Sequence, residues 1–467
     1  MAVRPTPAGG DAVPASVEPR GPRVPGGGWQ ATFASLGERD YLSFFTGNIA
    51  FFMGMQMQFL LRGYLAYEIT NSAAALGVIS AAVSVPMLVS APFGGVVADR
   101  VNKRTLLIVT QSVAAVASVI VAVLIIAGEI RFWHLIAVSL LTSVVFSFNM
   151  PARQALVPQL VPKQLLMNAI SLQMGSMNLT RILAPALAGV LIGPIGVGYV
   201  YLITFGLFVL ATASEFRLPT LGMKAAPTGA SFLADFVGGF SYIRRHSLIA
   251  LLIFSGVLMP LFSFPVQQVL VVFAEDVFHR GASGLGLLAS LSGVGGLIGA
   301  IVSANMDRHP NKGHLMLAGG LTMGALLIAF ALAPSFWFAL FFLAAANVGQ
   351  MLFQATNNTV IMGSLPEEVR GRVMSVTQMS FGLMPLGVIP ITLATDAYGA
   401  RGTIAVSSLV MLIALGALFA GVPRLRRLRL EAPAAVELSP TQAAALVAAG
   451  TITTEEADRM TGRILVD

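Results

Sequence analysis

Residues 168–192 read NAISLQMGSMNLTRILAPALAGVLI, and from Ile170 to Ile192 the only charge is Arg181. A helix needs about 20 apolar residues to cross roughly 30 Å of hydrocarbon, so this run reads as a membrane span. Arg181 falls near its middle, where insertion of an arginine costs about 2.5–3.5 kcal/mol. A charge at that depth is expected to face a protein interior or a wet cavity and to mark a functional path. One other charge, Arg62, sits in a comparable apolar setting.

The rest of the chain extends the same pattern. Hydrophobic residues make up 56% of the 467, charged residues only 10%, and the mean hydropathy is +0.81, which is outside soluble practice. Twelve apolar runs follow one another, at approximately 41–67, 74–98, 105–127, 132–150, 168–192, 197–216, 247–273, 284–305, 314–333, 335–358, 373–396 and 402–421. Continuous runs of this length exclude a barrel of alternating strands. The expected fold is an all-α membrane protein of twelve transmembrane helices. Forty-seven glycines and prolines within spans suit close packing and bends in a bundle.

The net charge of +7 does not point to nucleic acid, because of where it sits. With the amino terminus and even-numbered loops in the cytoplasm, 23 of the 28 Lys and Arg fall inside, three outside (Arg131, Arg280, Arg401) and two within spans (Arg62, Arg181). That bias is the positive-inside rule, and it puts both termini in the cytoplasm of a prokaryotic inner membrane. Arg424, Arg426, Arg427 and Arg429 follow the last span as an anchor on anionic lipid. There are no cysteines, and the five histidines lack ligand spacing, so neither disulfides nor a metal site is expected. No Walker loop and no nucleophile–base pair appears, so no cofactor and no enzymatic activity are expected.

Five regions are expected: a disordered tail at 1–39, a six-helix bundle at 40–216, a polar cytoplasmic linker at 217–246, a second six-helix bundle at 247–422, and a basic segment with a short helical hairpin at 423–467. The two bundles share an offset of 208 residues. Asp99, Arg100 and Arg104 map onto Asp307, Arg308 and Lys312, Asn149 onto Asn357, and Pro158 onto Pro366. Parallel repeats of this kind place a substrate site at their interface.

The loop GGVVADRVNKR, with Gly95, Asp99, Arg100 and Arg104 in register, resembles the signature loop of the major facilitator superfamily, and a weaker copy recurs at Asp307 and Arg308. The stretch FNMPARQALVPQLVPKQLLMNAISLQMGSMNLTRILAPALAG (148–189), together with RGYLAYEITNSAAALG (62–77) and RGRVMSV (370–376), is similar to exporters of the enterobactin-exporter and macrolide-efflux group. That resemblance covers nearly all of the chain except its tails. It implies alternating access, with Gly95, Asp99, Arg100, Arg104, Asp307 and Arg308 latching the halves on the cytoplasmic side. Ala184-Pro185-x-x-Ala188-Gly189 resembles the antiporter glycine-proline motif with both leading glycines replaced, and it implies efflux by antiport.

Substrate contacts are expected from Arg181, Arg62, Gln58, Asn178 and Gln267, and from Asn347, Gln350, Gln354 and Asn357, which recur at steps of three, four and three on one helical face. Such amides serve either interhelical hydrogen bonding or a polar path; four on one helix favour a water-filled path. Arg181 itself is either an anion anchor or a structural partner for a carbonyl. For a proton, Glu68 and Glu215 at span ends are the available carboxylates, and each also reads as an interfacial anchor. The preferred function is export of an amphipathic or anionic small molecule, drug or siderophore-like, by a monomer in the lipid bilayer. The alternatives are a lipid or metabolite facilitator on the same fold without proton coupling, and a membrane scaffold or sensor acting through the carboxyl-terminal hairpin.

Overall fold

The structure is a computed structural model that describes residues 32–219, 232–306, 309–426 and 428. Its elements are almost entirely helical. The first six long helices are α1 (Arg39–Thr70), α2 (Ala73–Arg100), α3 (Lys103–Ile126), α4 (Phe132–Leu160), α5 (Leu166–Ile195) and α6 (Val197–Glu215). A shorter amphipathic helix, α7 (Phe232–Arg245), follows. The second set comprises α8 (Ser247–Val272), α9 (Gly281–Asn305), α10 (Lys312–Ala331), α11 (Phe336–Ser364), α12 (Glu367–Met379), α13 (Pro385–Tyr398) and α14 (Ala400–Gly421). Among the described residues, eleven helices are long and apolar enough to cross a membrane. The side on which α1 begins is here called proximal, and the side on which it ends, distal.

The span expected at 373–396 is not one helix. It is divided into α12 and α13 by a 3-10 turn at Ser380–Leu383, because Pro385, which has no N–H to donate, opens α13 at its first turn. The expected tail also ends earlier than 39. Ala34–Gly37 forms a 3-10 turn, and buried Ser35 is held through its backbone N–H and hydroxyl to Asn168 Oδ1 at 3.1 and 2.7 Å. The polar linker contains α7, which packs on α12. The carboxyl-terminal hairpin, Asp307, Arg308, Arg427 and Arg429 lie outside the described residues.

Helices α1 to α6 pack as one group, chiefly α2 on α4, α3 on α6, and α1 on α5 and α6; α8 to α14 pack as another, chiefly α11 between α9 and α10, and α10 on α14. The groups meet along two seams, α5 with α9 and α2 with α13. The α5–α9 seam is a glycine contact. A Cβ on Gly189 would stand 2.7 Å from the Ala282 carbonyl oxygen and from Gly286 Cα, and one on Gly286 would stand 2.6 Å from the Pro185 oxygen. Without a hydrophobic force between helices in lipid, such backbone approach is what holds them together. The Pro185–Gly189 motif thus makes the seam, with Gly77 of α2 similarly close to Thr392 of α13.

Candidate functional site

Between the two groups, in the distal half of the helices, lies an open cleft of about 580 Å³, open solvent included. Its walls come from α1 (Gln56, Phe59, Gly63, Tyr64), α5 (Arg181, Pro185), α8 (Gln267, Gln268) and α9 (Leu285, Ala289). Arg181 reaches it because α5 is pinned to α9 by Gly189 and, about two turns further along, by Gly293 of α9, where a Cβ would stand 3.3 Å from the Arg181 carbonyl oxygen. Arg181 is exposed within these walls, and among the described residues no carboxylate lines the cleft with it. Three carboxamides, Gln56, Gln267 and Gln268, and the Tyr64 hydroxyl supply neutral donors and acceptors around one fixed positive charge. The arrangement suits a ligand with one anionic group and an apolar body lying on Phe59, Leu60 and Leu285.

Of the residues expected at the site, the cavity brings together Arg181 and Gln267. Asn178, one turn from Arg181, is exposed on α5 but does not line it. Gln58 and Arg62 are turned away, into the amino-terminal group, which corrects the expected pairing of Arg62 with Arg181. Gln58 Nε2 donates to Ser118 Oγ at 3.2 Å, and buried Arg62 donates to Thr142 Oγ1 at 2.8 Å. The physical reason is helical phase: Gln56, Phe59, Leu60 and Gly63 form one face of α1, while Asn48, Phe51, Gln58 and Arg62 form another.

The α11 amides are chiefly packing groups rather than walls of a wet path. Asn347 bonds back to the Leu343 carbonyl at 2.8 Å, Gln350 crosses to Ser263 Oγ of α8 at 2.9 Å, and Asn357 is buried where a Cβ on Gly256 would stand 2.5 Å from its Nδ2. Gln354 is half-buried. Of the signature loop, the backbone at Gly95, Asp99 and Arg100 belongs to α2, and their side chains lie outside the described residues. Arg104 is described, and it bonds within its own group: Nε to the Glu215 carbonyl at 3.1 Å and NH2 to the Phe216 carbonyl at 2.6 Å.

The carboxylates part company. Glu68 is exposed at the distal end of α1, as an interfacial residue should be. Glu215 is not an interfacial anchor: it is fully buried and faces Arg153 NH1 at 3.7 Å, with Gln111 Nε2 at 3.4 Å. Arg153, assigned by its charge to a cytoplasmic loop, lies within α4 with no exposed surface, so one fewer basic residue lies in the loops. Its guanidinium donates to Asn48 Oδ1 at 3.0 Å and Asn149 Oδ1 at 3.2 Å and rests over the Phe51 ring, 4.3 Å from the centroid. Asn149 in turn donates to Thr110 at 2.7 Å and Asn48 to Ser176 at 3.1 Å. The network therefore ties α1, α3, α4, α5 and α6 together. The sequence did carry a signal: Asn149, Arg153 and Val157 share one face at steps of four, continuing the helix past the apolar run.

A family model described as "Transmembrane secretion effector" matches residues 30–452. The chain belongs to this family of major facilitator superfamily transporters, and it is a membrane transporter, not an enzyme. Macrolide efflux protein A of Streptococcus pyogenes is 24% identical over 376 residues, 79% of this chain and 91% of that protein. The staphyloferrin A transporter of Staphylococcus aureus is 22% identical over 391 residues, 83% of this chain and 97% of that one. In fold, a bacterial homologue of the human lysosomal transporter Spinster, solved inward-facing and unoccupied, superposes with a TM-score of 0.67 at 14% identity, covering 85% of this chain and 98% of the other.

Proposed function

We propose that the protein exports an amphipathic organic anion by alternating access, with the proximal face in the cytoplasm. The carrying observation is Arg181, a permanent charge in a cavity between the two helical groups that has no carboxylate among its lining residues. Arg181 is exposed to the cleft rather than paired with a lining carboxylate, and a charge at that position in a span marks a functional path, so its counter-charge is the cargo. Relatives named for macrolide and siderophore transport agree with a small organic cargo. The proximal face is assigned to the cytoplasm by its basic loops, including Lys103, Arg104, Lys163, Arg244 and Arg245.

The test is transport of anionic and neutral amphipathic dyes into inside-out vesicles by the native protein, Arg181→Ala and Arg181→Lys. Export of the anions should fall at least about tenfold in the alanine variant and survive in part in the lysine variant. Normal anion export by Arg181→Ala at equal expression refutes the assignment. Where coupling exists, Glu215 is its site in preference to Glu68, because Glu215 is the buried carboxylate, ion-paired to Arg153. A facilitator without coupling is the second reading, favoured by the absence of any carboxylate among the described residues of the cavity wall.

A further inference from the structure

At the distal face, four hydrogen bonds among the described residues cross between the helical groups, and all four are accepted by carboxylates of α8–α14 and the turns between them. Asp396, near the end of α13, accepts from Ser72 Oγ at 2.5 Å and from the backbone N–H groups of Ala73 and Ala74 at 2.5 and 3.0 Å. Asp276, in the π-helical turn Phe273–Val277 after α8, accepts from the Tyr67 hydroxyl at the end of α1. Both carboxylates are exposed to solvent and line one surface cleft with Tyr67 and Arg401.

The Asp396 contact is a helix cap supplied in trans. Ser72 is the N-cap residue of α2, yet its side chain caps nothing in its own helix. The first N–H groups of α2 are satisfied instead by a carboxylate of the other helical group, where a negative charge also meets the positive end of the helix dipole. Pulling the groups apart at this face therefore strips α2 of its cap. It also breaks charge-assisted bonds, which are about twice as strong as neutral ones. A contact present here and broken by separation of the groups is the kind of differential interaction that biases a two-state equilibrium.

We propose that Asp396 and Asp276 are the gating residues of the distal face: they hold it closed, and their release is the step that opens the Arg181 cavity to that side. This rests on the alternating-access reading above, and the experiment separates the two. The chain has no cysteine, so spin labels can be attached at Glu129→Cys and Leu332→Cys, which lie just beyond the distal ends of α3 and α10. The inter-label distance distribution is then recorded in lipid nanodiscs for the parent, Asp396→Asn, Asp276→Asn and the double variant. We expect the ratio of long to short distances to rise roughly tenfold in Asp396→Asn, further in the double variant, and to return toward the parent in Asp396→Glu. An unchanged distribution in correctly folded Asp396→Asn and in the milder Ser72→Ala overturns the gate. A shifted distribution combined with anion export unaffected by Arg181→Ala upholds the gate and refutes the cargo assignment alone.

Discussion

Replacing Glu215 by alanine leaves the Arg153 guanidinium buried without its carboxylate. Neither side chain has exposed surface, and the bonds that remain to Arg153 come from the Asn48 and Asn149 amide oxygens, which are neutral dipoles. Removing one partner of a buried pair costs about 3–5 kcal/mol, whereas replacing both with apolar groups of similar volume is often neutral. For a cooperative unit of 150–250 residues, each kcal/mol moves the midpoint by about 2–4 °C. Glu215→Ala should therefore lower the apparent melting temperature of the purified protein, at one fixed scan rate, by roughly 6–20 °C. The double variant Arg153→Met with Glu215→Leu should recover most of that loss. A shift below about 2 °C in the single variant, or a double variant no more stable than the single, refutes the view that this buried pair holds α4 to α6.

Three further outcomes follow from the geometry. Gly286→Val places side-chain atoms where the Pro185 oxygen already lies 2.6 Å from a Cβ position; overpacking of this kind costs about 1–3 kcal/mol, and transport should fall with little change in equilibrium cargo binding to the detergent-purified protein. Gln350→Met removes the bond to Ser263 and should cost only about 0.6 kcal/mol, leaving cargo affinity unchanged by calorimetry; a large affinity loss would return the α11 stripe to the binding site. In proteoliposomes with an imposed pH gradient, Glu215→Gln should abolish gradient-driven uptake while preserving exchange, and unaltered driving by the gradient removes Glu215 as the coupling site.

The spans were legible because each carries its own hydrophobicity, independent of any neighbour. What the sequence concealed was phase and partnership. Arg62 and Arg181 are equally apolar in setting, yet the first turns inward to Thr142 and the second to the cavity, a difference fixed by which face of α1 meets which helix. Arg153 was hidden by its own charge, which hydropathy counts as the end of a span; only its buried partner Glu215, sixty-two positions later in the numbering, makes its depth tolerable. The α11 amides formed the stripe their spacing required, but a stripe does not say whether it faces water or another helix. The division of α12 from α13 was signalled by Pro385, although the preceding and following residues are apolar enough to be scored as one run.

That division makes one span the property of two bodies. Its first part, α12, packs on α7, the helix that joins the two helical groups along the chain, while its second part, α13, packs on α2. The turn at Ser380–Leu383 therefore joins two arms with different neighbours: the distal arm touches the amino-terminal group as well as α8 and α14, the proximal arm the connector, so the two mouths of the protein are lined by separate parts of one span.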